Sequence, residues 1–93
     1  MIRSFRDLEA RKIFQREGSR RVSGQVQKVA LRKLAMLDAA ESLEDLRVPA
    51  GNRLEKLLGR RAGQHSIRVN DQWRICFQWR DGDAHEVEIV DYH

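Results

Sequence analysis

The sequence predicts an α+β fold, a small antiparallel β-sheet with two N-terminal helices packed on one of its faces. Three observations carry this expectation. The stretch WRICFQWR alternates strictly, with Trp73, Ile75, Phe77 and Trp79 on one side and Arg74, Cys76, Gln78 and Arg80 on the other. That two-residue period is the signature of a strand. Val26, Ala30, Leu34 and Leu37 instead recur at helical spacing. Three strand-like stretches lie together in the last thirty residues, after the helical ones, which is the segregated order of an α+β domain.

Taken in order, MIRSF suits a short strand in which Ile2 alternates with charged neighbours. Ser4 followed by Asp7 reads as a capping box opening a helix. That helix should run to about Arg16 and stop near Glu17-Gly18, where glycine suits a terminus. Ser23 stands ready to cap a second, longer helix, with Lys28, Arg32 and Lys33 on its outer side. The two helices should pack as a hairpin. Ser42 and Asp45 suggest a further cap and one helical turn over residues 43–46. Residues 48–52, VPAGN, break regular structure. The segment RLEKLLGRRAG, residues 53–63, reads as a connecting loop with a short extended or helical piece before Gly59.

Three strands should follow, through QHSIRVN, WRICFQWR and HEVEIVDYH. Their register can be worked out from the turns. A two-residue Asp81-Gly82 loop would set Phe77 against Glu86, apolar against charged. A three-residue loop, Asp81 to Asp83, sets Phe77 against Val87 and Ile75 against Ile89, and buries one clean face. The same rule at Asn70-Asp71-Gln72 pairs Val69 with Trp73 and Ile67 with Ile75. The expected core face is therefore Ile67, Val69, Trp73, Ile75, Phe77, Val87 and Ile89, covered by the helices.

The opposite face would carry Ser66, Arg68, Arg74, Cys76, Gln78, Glu86, Glu88 and Tyr92. Arg68 then stands directly across from Arg74. Like charges so paired destabilise by up to ~1 kcal/mol, but an arginine pair beside a phenol makes sense around a phosphate. The spacing serves equally well an ordinary solvated face in which Glu88 neutralises Arg74.

The 93 residues suit a single domain spanning 1–93. The net charge is +4, and arginine supplies 14 of the 18 basic residues. Arginine's planar fork favours phosphate, so an anionic partner such as RNA is expected. The lone cysteine, Cys76, excludes an internal disulfide and a thiolate zinc cluster. No apolar stretch reaches membrane-span length and no signal-peptide core opens the chain, so a cytoplasmic protein with no membrane partner is expected. Phosphate-loop, zincin, nucleophile-elbow and dinucleotide motifs are absent from the sequence. His65, His85 and His93 lack metal-ligand spacing, so no metal and no cofactor is expected. What remains is acid–base cleavage of RNA, whose 2′-hydroxyl is its own nucleophile. Asp91, Tyr92 and His93 offer protons, and Arg68 and Arg74 offer charge to a pentacoordinate phosphorane. Asp91 would serve as well by pairing with an arginine, Tyr92 as an aromatic lid, and His93 as a frayed end.

The stretches RAGQHSIRVNDQWRICF and VDYH, with the opening MIRSF and the helical RKLAMLDAA, resemble the HigB-type toxins, killer proteins of the RelE superfamily. The likeness extends over nearly the whole chain. It implies a microbial-ribonuclease-like sheet with two helices. It implies a type II toxin that cleaves mRNA on the ribosome without a metal. Its partner would be a HigA-like helix-turn-helix antitoxin, so that DNA is met only through the antitoxin. The terminal acid, tyrosine and histidine of the family match Asp91, Tyr92 and His93, and the arginine of its W-R-I segment matches Arg74. Its basic loop residues match Arg60 and Arg61, and Lys56 and Arg68 would join them on RNA. One departure stands out. Where many relatives read L-H-x-L-K-G, this chain reads Leu54 to Gly59 as LEKLLG, with Glu55 in the catalytic histidine's place. A carboxylate is a weaker base than an imidazole, so Glu55 is a candidate base that would need desolvation. The alternative is a toxin that binds ribosomal RNA and blocks translation or ribosome assembly without cutting. A third reading, action only as a transcriptional partner of the antitoxin, leaves Tyr92 and His93 without a role.

Overall fold

In the computed structural model, which describes residues 1–92, helices α1 (Leu8–Phe14) and α2 (Gly24–Ala39) precede a four-stranded antiparallel sheet. The strands are β1 (Glu55–Lys56), β2 (Gln64–Arg68), β3 (Trp73–Arg80) and β4 (Asp83–Asp91), in that spatial order. The expected α+β class is borne out; β1 joins the three expected C-terminal strands, while MIRSF, expected as a short strand, makes only isolated bridges. The short extended piece before Gly59 is β1, which pairs Glu55 with Ser66 and Lys56 with His65.

The core face is the one the alternation predicts. Ile67, Ile75, Phe77 and Val87 are fully buried, and Val69, Trp73 and Ile89 nearly so, against Ala30, Leu34 and Leu37 of α2 and Ala10 and Ile13 of α1. The β2–β3 register is as expected, Ile67 opposite Ile75 and Arg68 opposite Arg74, with the Val69 amide donating to the Trp73 carbonyl.

The β3–β4 hairpin reaches its expected register by another route. The loop is the two-residue Asp81-Gly82 turn, with φ of 52° and 78°, and Arg80 pairs with Asp83. Two positive φ values are what a tight hairpin turn between twisted strands requires. The extra residue is absorbed further along, as a bulge. Between the pairs Gln78–His85 and Cys76–Glu88, Glu86 and Val87 both stand across from Phe77. Glu86 takes φ 52°. Past it, Ile75 meets Ile89 as expected. A bulge leaves an amide without a ladder partner, and here Ser4 Oγ accepts the Glu86 N–H at 2.9 Å. Ser4 is therefore no helix cap. The cap of α1 is Asp7, whose carboxylate accepts the Glu9 amide.

Around Ser4 the chain start lies parallel to β4, bridging Ile2 to Ala84 and Phe5 to Val87. Asp7 and Arg21 continue this cover: Asp7 accepts the Ile89 N–H, and Arg21 donates to the Ile89 carbonyl. The β4 edge is thus closed by side chains where the backbone stops doing so.

Two helix details differ from expectation. α1 ends before Gly18 because Arg16 itself adopts φ 63°. The Arg16 and Glu17 amides donate back to the Ile13 and Lys12 carbonyls, closing the helix in a Schellman arrangement. Lys33, expected on the outer side of α2, is buried and donates to Asn52 Oδ1. Burial first, then Arg32 and Arg68, lower its pKa. The amide of Asn52 in turn donates to the Leu46 and Val48 carbonyls, so this pair ties α2 to the loop before β1. The expected capping box at Ser42 and Asp45 is present.

His65 stacks on Phe77, ring centroids 6.2 Å apart, with Nδ1 buried and lacking a hydrogen-bond partner. Burial, then Lys56, lowers its pKa below the usual 6.5. Between the lowered folded value and the unfolded one, the unfolded chain takes up a proton that the folded chain refuses. This contribution to stability is therefore complete above about pH 6.5 and is lost as pH falls through the folded pKa. His65→Phe should fall less in Tm than wild type between about pH 7.5 and pH 5. Parallel Tm curves for the two proteins would contradict the assignment.

Candidate active site

The second sheet face is not helix-covered, and its chemistry begins with a charge that should not be buried there. Arg74 is 8% exposed, near the start of β3 and across from Arg68. Its guanidinium is tolerated because two of its three nitrogens are engaged within the protein. Nε donates to Ser66 Oγ at 2.8 Å, and Nη2 donates to the Arg53 carbonyl at 2.6 Å. Glu55 Oε2 lies 3.9 Å from Nη2. Arg68 turns to Asp71 instead. Repulsion across the pair is thereby divided between separate acceptors, which a bare like-charge pair would lack.

The Arg53 carbonyl is aimed by an unusual backbone. Arg53 has φ 44° and ψ 57°, a left-handed conformation a non-glycine residue rarely adopts. It follows directly on Asn52, which the buried Lys33 and two carbonyls hold in place. Packing within the loop thus fixes the acceptor that fixes Arg74.

Tyr92 completes the site. Its amide donates to the Gln72 carbonyl at 2.7 Å, which carries the chain past the end of β4. Its ring lies 5.8 Å from the Arg74 guanidinium carbon, and its hydroxyl is 3.8 Å from Cys76 Sγ. Burial first, then Cys76, raises its pKa, partly offset by Arg61 and Arg74. The phenol is therefore a proton-bearing donor at neutral pH. Burial likewise raises the Cys76 thiol, which is fully covered and unsuited to attack. Arg53, Glu55, Arg68, Asp71, Arg74 and Tyr92 line an open cleft of about 430 Å³.

The expected site residues divide. Arg74, Arg68, Glu55 and Tyr92 come together in this cleft. Asp91 does not join them. It pairs with Trp73 in register, so it shares the parity of Ile89 and points to the helix side of the sheet, where Gln72 donates to it at 3.1 Å. Lys56, across from His65, also falls on that other side. Arg60 and Arg61 line a separate cleft of about 240 Å³ with Arg6, Gln64 and Glu88. His93 lies outside the described residues. Glu88 does not neutralise Arg74; it pairs with Arg61 and Arg6. Sequence reasoning gave no role to Ser66 or Arg53. The serine was legible as Arg74's near neighbour on the same face, whereas a backbone acceptor leaves no trace in residue type. Among the described residues no cluster of His, Cys, Asp and Glu is arranged to hold a metal ion, and no helix is long and apolar enough to cross a membrane.

The fold and cleft together describe a small α+β protein whose open cleft gathers cations and a phenol. A family model described as the RelE-like toxin HigB of type II toxin–antitoxin systems matches residues 3–93. The chain belongs to this family, the HigB-like toxins. It is 49% identical over 65 residues, 70% of this chain and 68% of the relative, to toxin HigB-1 of Vibrio cholerae. It is 32% identical over 93 residues, the whole of both chains, to endoribonuclease HigB of Proteus vulgaris. Among solved structures, the YoeB–YefM toxin–antitoxin complex of Staphylococcus aureus contains a similar chain. That match has a TM-score of 0.57 at 20% identity and covers 100% of this chain and 98% of that one. At this identity the likeness is one of fold.

If the Ser66 and Arg53 bonds hold the buried charge, Arg74→Lys should destabilise the fold by about 1–3 kcal/mol, because an ammonium cannot reach both acceptors at once. Urea denaturation measures this. An unchanged midpoint would mean that the guanidinium geometry contributes nothing to stability.

Proposed function

We propose that this toxin is an endoribonuclease that cleaves mRNA on the ribosome by metal-independent acid–base chemistry. The observation that carries the reading is Arg74, a buried guanidinium held through Nε and Nη2 at the floor of a cleft shared with Tyr92, Arg68 and Glu55. A preorganised cation of this kind is what stabilises charge developing on a phosphorane. In the reaction a base takes the proton of the 2′-hydroxyl, and the oxygen attacks the adjacent phosphorus. The bond from phosphorus to the 5′-oxygen breaks, and an acid protonates that oxygen. The products are a 2′,3′-cyclic phosphate and a 5′-hydroxyl.

Glu55 is the base candidate within the cleft, 3.9 Å from Arg74. Tyr92, with its raised pKa, holds its proton and suits the leaving oxygen. His93 follows Tyr92 directly in sequence and is a second candidate acid. Asp91 acts by holding the terminal segment through Gln72. Arg68 positions phosphate. The partners on this reading are the ribosome, mRNA and a HigA-like helix-turn-helix antitoxin, all in the cytoplasm. The family's type II classification and the Proteus relative's name support it.

A non-catalytic toxin that blocks the ribosome is the second reading. It is favoured by the placement of Asp91 on the other face and by glutamate in place of histidine at position 55.

Primer extension on mRNA after brief induction separates the two. Wild type should produce discrete, codon-linked ends. A chain truncated before Tyr92 should produce none and should leave growth unimpaired, and Tyr92→Phe should cut at least ~10²-fold more slowly. Growth arrest without any discrete ends would defeat the nuclease reading in favour of blocking. In the same assay Glu55→His should cut faster than wild type near neutral pH, since imidazole is the better base there. A slower Glu55→His variant would remove Glu55 from the base's role.

A further inference from the structure

The smaller cleft, beside the catalytic one, is built from charges whose pairing is incomplete. Arg61 faces Glu88 with both terminal nitrogens, at 3.4 Å each, and Arg6 reaches the same carboxylate at 3.7 Å. Strong charge-assisted bonds of this type run at about 2.7–2.9 Å. One carboxylate is therefore shared loosely between two guanidiniums, and Arg60 adds a third cation to the lining. The Arg6 side chain is 60% exposed, Arg61 33% and Glu88 only 15%. The acid is at the bottom and the cations stand at the rim.

The register places this cleft relative to the first. On the open face, Arg68 and Arg74 form one cross-strand row. Ser66, Cys76 and Glu88 form the next, and Gln64 and Gln78 the one after. Successive rows on a face are about 6.5–7 Å apart, comparable to the step between phosphates in a single strand. The Tyr92 ring lies over Arg74 in the first row, while its hydroxyl touches Cys76 in the second. Glu88 is the residue beside Cys76. The phenol therefore spans from the catalytic arginine to the edge of the second cleft.

We propose that Arg6, Arg60 and Arg61 form a second phosphate site, which holds a neighbouring phosphate of the RNA strand bound in the Arg74 cleft, and that Glu88 occupies it as an internal counter-ion until RNA displaces it. This rests on the reading of the Arg74 cleft as an RNA site. RNA is favoured over an acidic peptide because the cleft continues that face row by row, and because forked guanidiniums match phosphate oxygens. Glu88 also serves discrimination. A ligand that engages only the second cleft must displace a carboxylate already in place, without the anchorage of the first cleft. A bond from Arg61 Nη1 to Gln64 Oε1 at 3.1 Å keeps Arg61 oriented when the acid lets go.

The test is equilibrium binding of a 2′-O-methyl hexanucleotide, whose nucleophile is blocked, to the purified full chain across a salt series. Glu88→Gln keeps the side chain's size and removes its charge. It should tighten binding several-fold and steepen the dependence of log Kd on log salt by roughly 0.7 for each added phosphate contact. Arg6→Gln, at an exposed position, should weaken binding and make that dependence shallower. Thermal melts confirm that both variants are folded. If Arg74→Gln weakens binding while the Glu88 and Arg6 variants match wild type, the second site is refuted and the catalytic cleft stands. If none of the three changes affinity, both assignments fall. If Glu88→Gln tightens binding of a polyglutamate peptide but not of the oligonucleotide, the cleft is a protein-docking surface and the proposal is wrong.

Discussion

Arg74 carries a full positive charge into a strand where it is almost wholly covered, and it stands opposite a second arginine. Removing such a group from water costs several kcal/mol unless its donors are satisfied. Much of the surrounding structure supplies that satisfaction. Ser66 offers a hydroxyl from the neighbouring strand, and the left-handed backbone at Arg53 turns a carbonyl inward. Lys33 and Asn52 brace the loop from beneath. Lys33 is itself a buried cation with a lowered pKa. The fold thus accepts one awkward charge on the helix side to hold another in register on the open side. On the proposed reading that ordering matters, because a surface arginine would have to be ordered each time it met phosphate, and that cost would be subtracted from binding.

The apolar face of the sheet was legible in the sequence because it depends on a period. Alternation in WRICFQWR and the apolar positions of β4 specify which residues face the helices, and a slip of one residue would reverse every side chain. The β3–β4 hairpin shows where that reasoning stops. The correct pairing of Ile75 with Ile89 is reached through a two-residue turn and a bulge at Glu86, not through a longer loop. Both routes insert one residue, so the burial pattern beyond Cys76 is identical and cannot distinguish them. The distinguishing feature is the Ser4 hydroxyl that receives the stranded Glu86 amide, a contact across most of the chain. Lys33 was misplaced for a related reason. Helical spacing locates a lysine on a face but says nothing of a buried amide from another loop that can receive it.

The candidate cleft was half legible. Parity brought Arg68, Arg74 and Tyr92 to one face, and the turn residues set their register. The same parity, carried one residue back from Tyr92, sends Asp91 to the opposite face. Consecutive residues at a strand's end point opposite ways, so a cluster of chemically suggestive neighbours in sequence is not a cluster in space. Glu88 was legible as a partner for an arginine but was assigned the wrong one, since diagonal and loop-borne cations compete for a carboxylate as readily as cross-strand ones do.

On the proposed reaction, the protonic roles in the cleft follow from environment rather than from residue type. Tyr92 is packed onto Cys76 and Arg74. Burial and the thiol raise its pKa more than the two guanidiniums lower it, so it keeps its proton. A group in that state donates, and the leaving 5′-oxygen needs a donor. Glu55 sits at the exposed rim of the same cleft, on a two-residue edge strand, with Arg74 as its nearest cation. The donor is therefore held by the body of the sheet and the acceptor by its most marginal strand. A substrate that closes over β1 would exclude water from Glu55 and make its carboxylate a stronger base at the moment it is required. The proposed dependence on the ribosome has a physical rationale here, because a large docking surface would enclose that edge strand and a free oligonucleotide would not.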